Sequence, residues 1–296
     1  MYAIVGAAGK VGFATALALR QAGVEVRAVL RSESKAARLA EIGCEIVFAD
    51  LQDADALGSA IADADAVQVV APLTPQAQDP AEDLRRSIAS LAAALRQARP
   101  GRTLAVSDYG AHVAHDIGMP SVFREFEKQL ARVGGHTIVV RSAEHMQNWA
   151  RVIPAAIESG RLPTFLDPVN RLVPTISAPD LGKITAALLL RAEGRTGVDI
   201  YHAEGPRRYS AGDVATVLSE LAGRPVHAQS VPRVQWAEIM KHNMPATLAD
   251  LLIKATDAVN QGGVVDIEEN VGEVCYGTTE LIDALRPLLP QRHDRG

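Results

Sequence analysis

Tyr2-Ala3-Ile4-Val5-Gly6-Ala7-Ala8-Gly9-Lys10-Val11-Gly12 is a short apolar run that breaks into three glycines spaced three apart. The run reads as a β-strand, the glycines as a tight turn, and the Ala- and Leu-rich residues 13 to 22 as a helix packed on a sheet. Where a strand enters a helix through glycines, backbone amides and the helix dipole are free to hold a pyrophosphate. The spacing is GxxGxxG instead of GxGxxG, so Ala7 and Ala8 fill the middle of the turn. Gly6, Ala8, Gly9, Lys10, Val11 and Gly12 are therefore candidate dinucleotide ligands. The plainer alternative is a tight turn in an α/β protein that binds nothing.

Outward from that turn the pattern repeats. Strands are expected at Val24 to Leu30, Glu45 to Ala49, Val67 to Val70, Thr103 to Val106 and Thr137 to Val140. Helices are expected between them at Ser34 to Ile42, Ala54 to Ala62, Asp79 to Arg99 and Ser121 to Val133. Strands and helices alternating at this spacing are βαβ units, which predict an α/β, Rossmann-like, mostly parallel sheet with helices on both faces.

After Arg141 the rhythm loosens. Glu144 to Glu158 reads as a helix despite Pro154, and Leu162 to Pro179 carries four prolines suited to loops and small edge strands. Asp180 reads as the cap of a helix ending near Arg191, and Val198 to Ala203 as a strand. Ser210 and Asp213 have the spacing of a capping box before a helix ending at Gly223. Two helices divided near Pro245 and a last short one at Thr279 to Leu285 follow. The expected division is a dinucleotide-binding unit over residues 1–150 and a smaller, mainly helical lobe over 151–296. Segments around 172–203 are expected to return to the large sheet.

The 296 residues are 48% hydrophobic and 22% charged, a composition that excludes disorder, collagen and a coiled-coil rod. A net charge of -5 offers no broad basic footprint, so nucleic acid is not expected as the main partner. Cys44 and Cys275 stand far apart and form neither a CxxC nor a metal-ligand cluster; they read as reduced thiols. The start of the chain lacks the basic and long apolar regions of a signal peptide, and Lys183 to Leu190 is too short to cross a bilayer. A cytoplasmic protein without a membrane partner is expected, and a homo-oligomer is compatible with the composition.

The end of the second strand decides which dinucleotide fits. An acidic residue there would clasp an unmodified ribose, but the sequence reads Leu30-Arg31-Ser32-Glu33-Ser34-Lys35. Arg31 is placed to pair with a 2′-phosphate, which favours NADPH; Glu33 keeps NAD open, and Arg31 as a solvated surface residue is the bland alternative. Asp50 and Leu51, after the third strand, are candidates to flank the adenine, with a helix-capping role for Asp50 as the alternative.

Gly6 to Gly12, Val29-Leu30-Arg31-Ser32, His136 to Arg141 and Asn148 together resemble the NmrA-like branch of the atypical short-chain dehydrogenase/reductases. Tyr201 to Pro206 and Ser210 to Val226 are similar to that branch's later strand and helix, so the resemblance covers essentially the whole chain. It implies a Rossmann domain with a small C-terminal lobe over the nicotinamide end. Its members include quinone reductases, isoflavone-type reductases and non-catalytic redox sensors. Asn148 is the residue it supports near the nicotinamide. The chain departs from the pattern where acid–base chemistry would sit. No Tyr-x-x-x-Lys pair occurs: the residue four after Tyr109 is Val113, and the lysine that some relatives carry four residues before a glutamate is Phe123 if that glutamate is Glu127.

Ligands in this architecture lie outside the carboxyl ends of the strands, which selects Pro72, Ser107, Tyr109 and the segment after Arg141. Tyr109 and His145 are the candidates to meet an acceptor oxygen, against bland roles as a loop aromatic and a helix-start residue. His112 and His115 have no third ligand at recognisable spacing and read as loop histidines, so no metal is expected. A hydride acceptor whose reduction makes an oxyanion needs only hydrogen bonds and solvent, which suits a site without the paired base. The expectation is an NADPH-dependent oxidoreductase acting on a small quinone or related electrophilic acceptor. The alternative is a non-catalytic dinucleotide-binding redox sensor.

Overall fold

The first strand, β1 (Tyr2–Val5), is followed by α1 (Lys10–Gln21), β2 (Val26–Leu30), α2 (Ala36–Glu41), β3 (Glu45–Phe48), α3 (Ala54–Ala60) and β4 (Ala66–Val70). Next come α4 (Pro80–Ala98), β5 (Arg102–Asp108), α5 (Met119–Leu130) and β6 (His136–Ser142). The chain continues through β7 (Glu144–His145), α6 (Ile153–Ser159), β8 (Arg161–Thr164), β9 (Thr175–Ile176), α7 (Ala178–Arg191) and β10 (Gly197–Glu204). It ends with α8 (Ala211–Ala222), β11 (His227–Ser230), α9 (Trp236–Asn243), α10 (Ala246–Gln261), β12 (Glu273–Tyr276) and α11 (Leu281–Leu285). The computed structural model describes residues 1–71, 73–191 and 195–290.

Eight strands form one sheet in the order β12-β10-β6-β5-β4-β1-β2-β3, with each pair parallel. The mostly parallel α/β architecture with helices on both faces is thus the one the alternating pattern predicts. Because β1 lies between β2 and β4, the order reverses there and opens a crevice at the carboxyl ends of the strands.

Alternate residues of each strand feed opposite faces, as the pleat requires. Ile4, Leu104, Val106, Ile138 and Val140 pack with Val11, Leu19, Leu181 and Leu189 on the side of α1 and α7. Ala3, Val67, Val69 and Ala105 pack with Leu84, Leu91, Val122 and Phe126 on the side of α4 and α5. A smaller core unites Met146, Ile153, Leu162, Leu218 and Leu281. Trp236, Met240, Ala249 and Ile253 form another, with Phe165 edge-on to Trp236.

Three local readings change. Residues 144–158 are not one helix: Glu144–His145 pairs with Thr175–Ile176, residues 146–151 form a 3₁₀ turn, and α6 starts anew with Pro154 in its first turn. Proline suits that position because its missing N–H is not needed there. Asp180 does not cap α7; its buried carboxylate accepts the amides of Thr278 and Thr279 at 2.9 and 2.7 Å. The cap is supplied by Gln147, whose Oε1 accepts the Ala178 amide at 2.9 Å. The strand β12 at the sheet edge was not foreseen. The capping box at Ser210 and Asp213 is present as expected.

Candidate functional site

The turn between β1 and α1 is held shut by its own backbone: the Gly9 amide donates to Gly6 O at 3.1 Å. Gly6 has φ +86°, and a Cβ there would lie 2.8 Å from the Val70 carbonyl oxygen, so the turn is pressed against the end of β4. A Cβ at Gly12 would lie 2.3 Å from Gly6 O. Both glycines are required by the fold. Gly9 is different: it caps α1 in extended backbone, makes no side-chain cap, and a Cβ there would meet only Gly6 O at an ordinary 3.4 Å. Nothing in the protein demands a glycine at that position, and the amides that begin α1 have no intrahelical acceptor. Open space in front of Gly9 together with free amides fits a dinucleotide pyrophosphate. Ala8 is half-buried, Val11 is buried and Lys10 is exposed around this opening.

Arg31, at the end of β2, is exposed, as are Ser32 and Lys35. Asp50 is exposed and its Oδ1 accepts the Gln52 amide at 3.0 Å, closing a local turn. The α3 cap is Asp53, whose Oδ1 accepts the Asp55 and Ala56 amides. Leu51 packs at the margin of the core beneath α3 and α4. Pro72 lies outside the described residues.

At the other end of the crevice, Asp108 closes β5 opposite Ser142 of β6. Ser142 Oγ is 3.4 Å from His145 Nε2, and Glu144 Oε1 accepts from Asn148 Nδ2 at 2.6 Å. The pairing of β7 with β9 and the Gln147 bond to α7 fix this segment. Burial holds the His145 imidazole below its ordinary pKa, with Glu144 opposing and the Lys10 ammonium adding to it. His145 is therefore a neutral ring at pH 7. Asp108 is half-buried and forms no ion pair among the described residues. Burial, reinforced by the carboxylates of Glu144 and Glu127 against the Tyr109 amide, pushes its carboxyl up to about 8.

Tyr109 turns inward. It is 2% exposed, its ring is edge-on to His202, and its hydroxyl donates to Glu204 Oε1 at 3.2 Å. Burial and the Glu204 carboxylate drive its pKa far upward. The expected donor to an acceptor oxygen is instead a support of the floor beneath the site.

That floor is an ionic network which sequence reasoning did not find. Glu127 on α5 accepts Ser107 Oγ at 2.6 Å and both Arg141 Nε and Nη2, at 3.0 and 2.8 Å. Arg141 also donates to Glu268, whose own amide donates to His202 Nε2 at 3.3 Å. Arg208 pairs with Glu204 at 2.7 Å and with Asp266 at 2.8 Å. Ser107, Arg141 and His202 are register partners across β5, β6 and β10, so these bonds tie three strands to residues 266–268. Phe123, at the position of the missing lysine, packs at the edge of the core. Among the described residues no group of His, Cys, Asp and Glu could hold a metal ion, and no helix is long and apolar enough to cross a membrane.

Comparison with known proteins places this geometry. The chain is 28% identical over 256 residues to an NAD(P)H azoreductase from Xenophilus azovorans, covering 85% of each chain. It is 24% identical over 293 residues to quinone oxidoreductase 2 of Escherichia coli (strain K12), covering 97% of this chain and 98% of the relative. The crystal structure of an NADPH-dependent quinone oxidoreductase from E. coli in complex with NADPH superposes with a TM-score of 0.79 at 23% identity, over 97% of this chain and 99% of that one. The NADP(H) complex of Citrobacter sp. triphenylmethane reductase does so with a TM-score of 0.79 at 19% identity, over 98% and 100%. The model of the NmrA-like family matches residues 2–276, and the chain belongs to that family.

Proposed function

We propose that the protein is an NADPH-dependent oxidoreductase that passes hydride to a small quinone or a related conjugated electrophile. The observation that carries this reading is the Gly9 opening at the head of α1, supported by similarity to an NAD(P)H azoreductase over 85% of the chain and to a quinone oxidoreductase over 97%. Gly6, Ala8, Gly9, Lys10, Val11 and Gly12 would hold the pyrophosphate, Arg31 the 2′-phosphate, and Asp50 and Leu51 the adenine side. Asn148 would border the nicotinamide. Bound there, NADPH supplies a two-electron hydride.

His145 then borders the acceptor, its neutral ring held at Nε2 by Ser142, whose own hydroxyl proton goes to Ala143 O. Tyr109 acts from below by fixing Glu204 and, through it, Arg208. Turnover with a panel of quinones tests the reaction, and titration of Arg31→Ala tests the cofactor. A charged hydrogen bond is worth about 1.5–3 kcal/mol, so the variant should lose roughly ten- to more than hundred-fold in NADPH affinity and far less in NADH affinity. Equal losses for both cofactors would reject the phosphate contact. NADPH binding without turnover on any acceptor would favour a cofactor-sensing role.

A further inference from the structure

We propose that Asp108, at the carboxyl end of β5, is the acid of this reaction and delivers a proton to the oxygen of the reduced acceptor. The inference rests on the oxidoreductase reading. Asp108 is the last residue of β5, two strands from β1, at the carboxyl edge along which the crevice runs from the glycine turn. Ser107 before it faces α5 through Glu127, so alternation along the strand sends Asp108 to the other face, with Leu104 and Val106. Its register partner Ser142 stands between it and the His145 ring.

The groups around Asp108 favour a neutral carboxyl. Burial is the main cause; the negative charge of Glu144 on β7 and, more weakly, that of Glu127 across the strand on α5 add to it, and the Tyr109 amide opposes them. Among the described residues no Lys, Arg or His lies within ion-pair distance of its carboxylate. A half-buried carboxylate facing like charges without a cation takes up a proton instead. The other two candidates cannot serve. His145 is neutral, with its proton affinity lowered by burial, and the Tyr109 hydroxyl is committed to Glu204. An acid whose proton affinity matches the working pH transfers most effectively.

The step balances without any further reactant. Hydride, with its electron pair, would come to the quinone from bound NADPH, leaving one quinone oxygen as an anion. The Asp108 O–H bond breaks, the proton forms the new O–H bond on that oxygen, and the carboxylate regains a proton from water.

The test needs one spectroscopic and one kinetic readout. Difference infrared spectroscopy of the protein without cofactor, with Asp108→Asn assigning the band, should show the Asp108 carboxyl titrating near pH 8. Single-turnover NADPH oxidation with a quinone should fall above that pH in the wild type. In Asp108→Asn it should be slower by about 10²- to 10⁴-fold and lose that limb of the profile, the usual scale for a positioned acid. If the asparagine variant fails to fold, Asp108→Glu should retain activity with a displaced midpoint. A carboxyl already ionised below about pH 5, near its ordinary range, overturns the proposal whatever the enzyme does. A rate and profile unchanged in Asp108→Asn also overturn it while leaving the oxidoreductase reading intact. A wild type that binds NADPH but never oxidises it overturns both, and the infrared titration separates that failure from the first.

Discussion

Gly12 is closed to any side chain by the backbone of its own turn, whereas Gly9 faces outward with room for one. The two positions therefore separate folding from binding. Gly12→Ala forces a Cβ into the Gly6 carbonyl and should cost about 1–3 kcal/mol or more, as overpacking does. Gly9→Val keeps an extended backbone that any residue adopts and should cost within about 1 kcal/mol, the difference between glycine and valine as an N-cap. Urea denaturation should rank them in that order, and calorimetry should show NADPH binding lost in Gly9→Val. Unchanged affinity in that variant would contradict the site. The glycine spacing was legible because a tight turn and a helix start are local. Asp108 was not, although it sits between Ser107 and Tyr109. Its proton affinity comes first from burial and then from the charges of Glu144 and Glu127, all of which only the fold supplies.

At the scale of elements, α1 is fixed from behind by α7. A Cβ at Gly182 would lie 2.5 Å from Ala14 Cβ and 2.6 Å from Val11 O, and Thr15 and Thr185 share a buried hydrogen bond of 2.9 Å. Gln68 of β4 donates to the same Thr15 hydroxyl at 3.0 Å. Alanine is the better helix former by about 1 kcal/mol, so Gly182→Ala would stabilise a free helix. Here the clash is the larger effect, and the variant should lower stability by about 1–3 kcal/mol less that gain. It should also weaken NADPH, since pushing α1 away moves the amides that would hold the pyrophosphate. A higher urea midpoint in Gly182→Ala would contradict the packing. Helix positions were legible wherever apolar spacing and caps agree, as at Ser210. The reading failed at residues 144–158, because the partners of Glu144 and His145 are thirty-one residues away in β9.

Across the whole molecule, β10 and β12 extend the sheet beyond β6, and the Arg141 and Arg208 ion pairs tie residues 266–268 to it. Arg141 and Glu268 are 127 positions apart, so no local pattern reports their meeting. The parallel architecture was legible because βαβ units repeat; this polar floor was not, because it depends on register across three strands. A dinucleotide held at the glycine turn should give hydride directly to a quinone. The most direct measurement is anaerobic stopped-flow mixing of the NADPH-loaded protein with a small quinone, following cofactor absorbance, with flavin added only in a separate run. The expected result is a single-turnover loss of reduced cofactor, faster than in solution without protein and independent of flavin. A rate equal to the uncatalysed one despite tight NADPH binding, or a reaction that needs flavin, would contradict it.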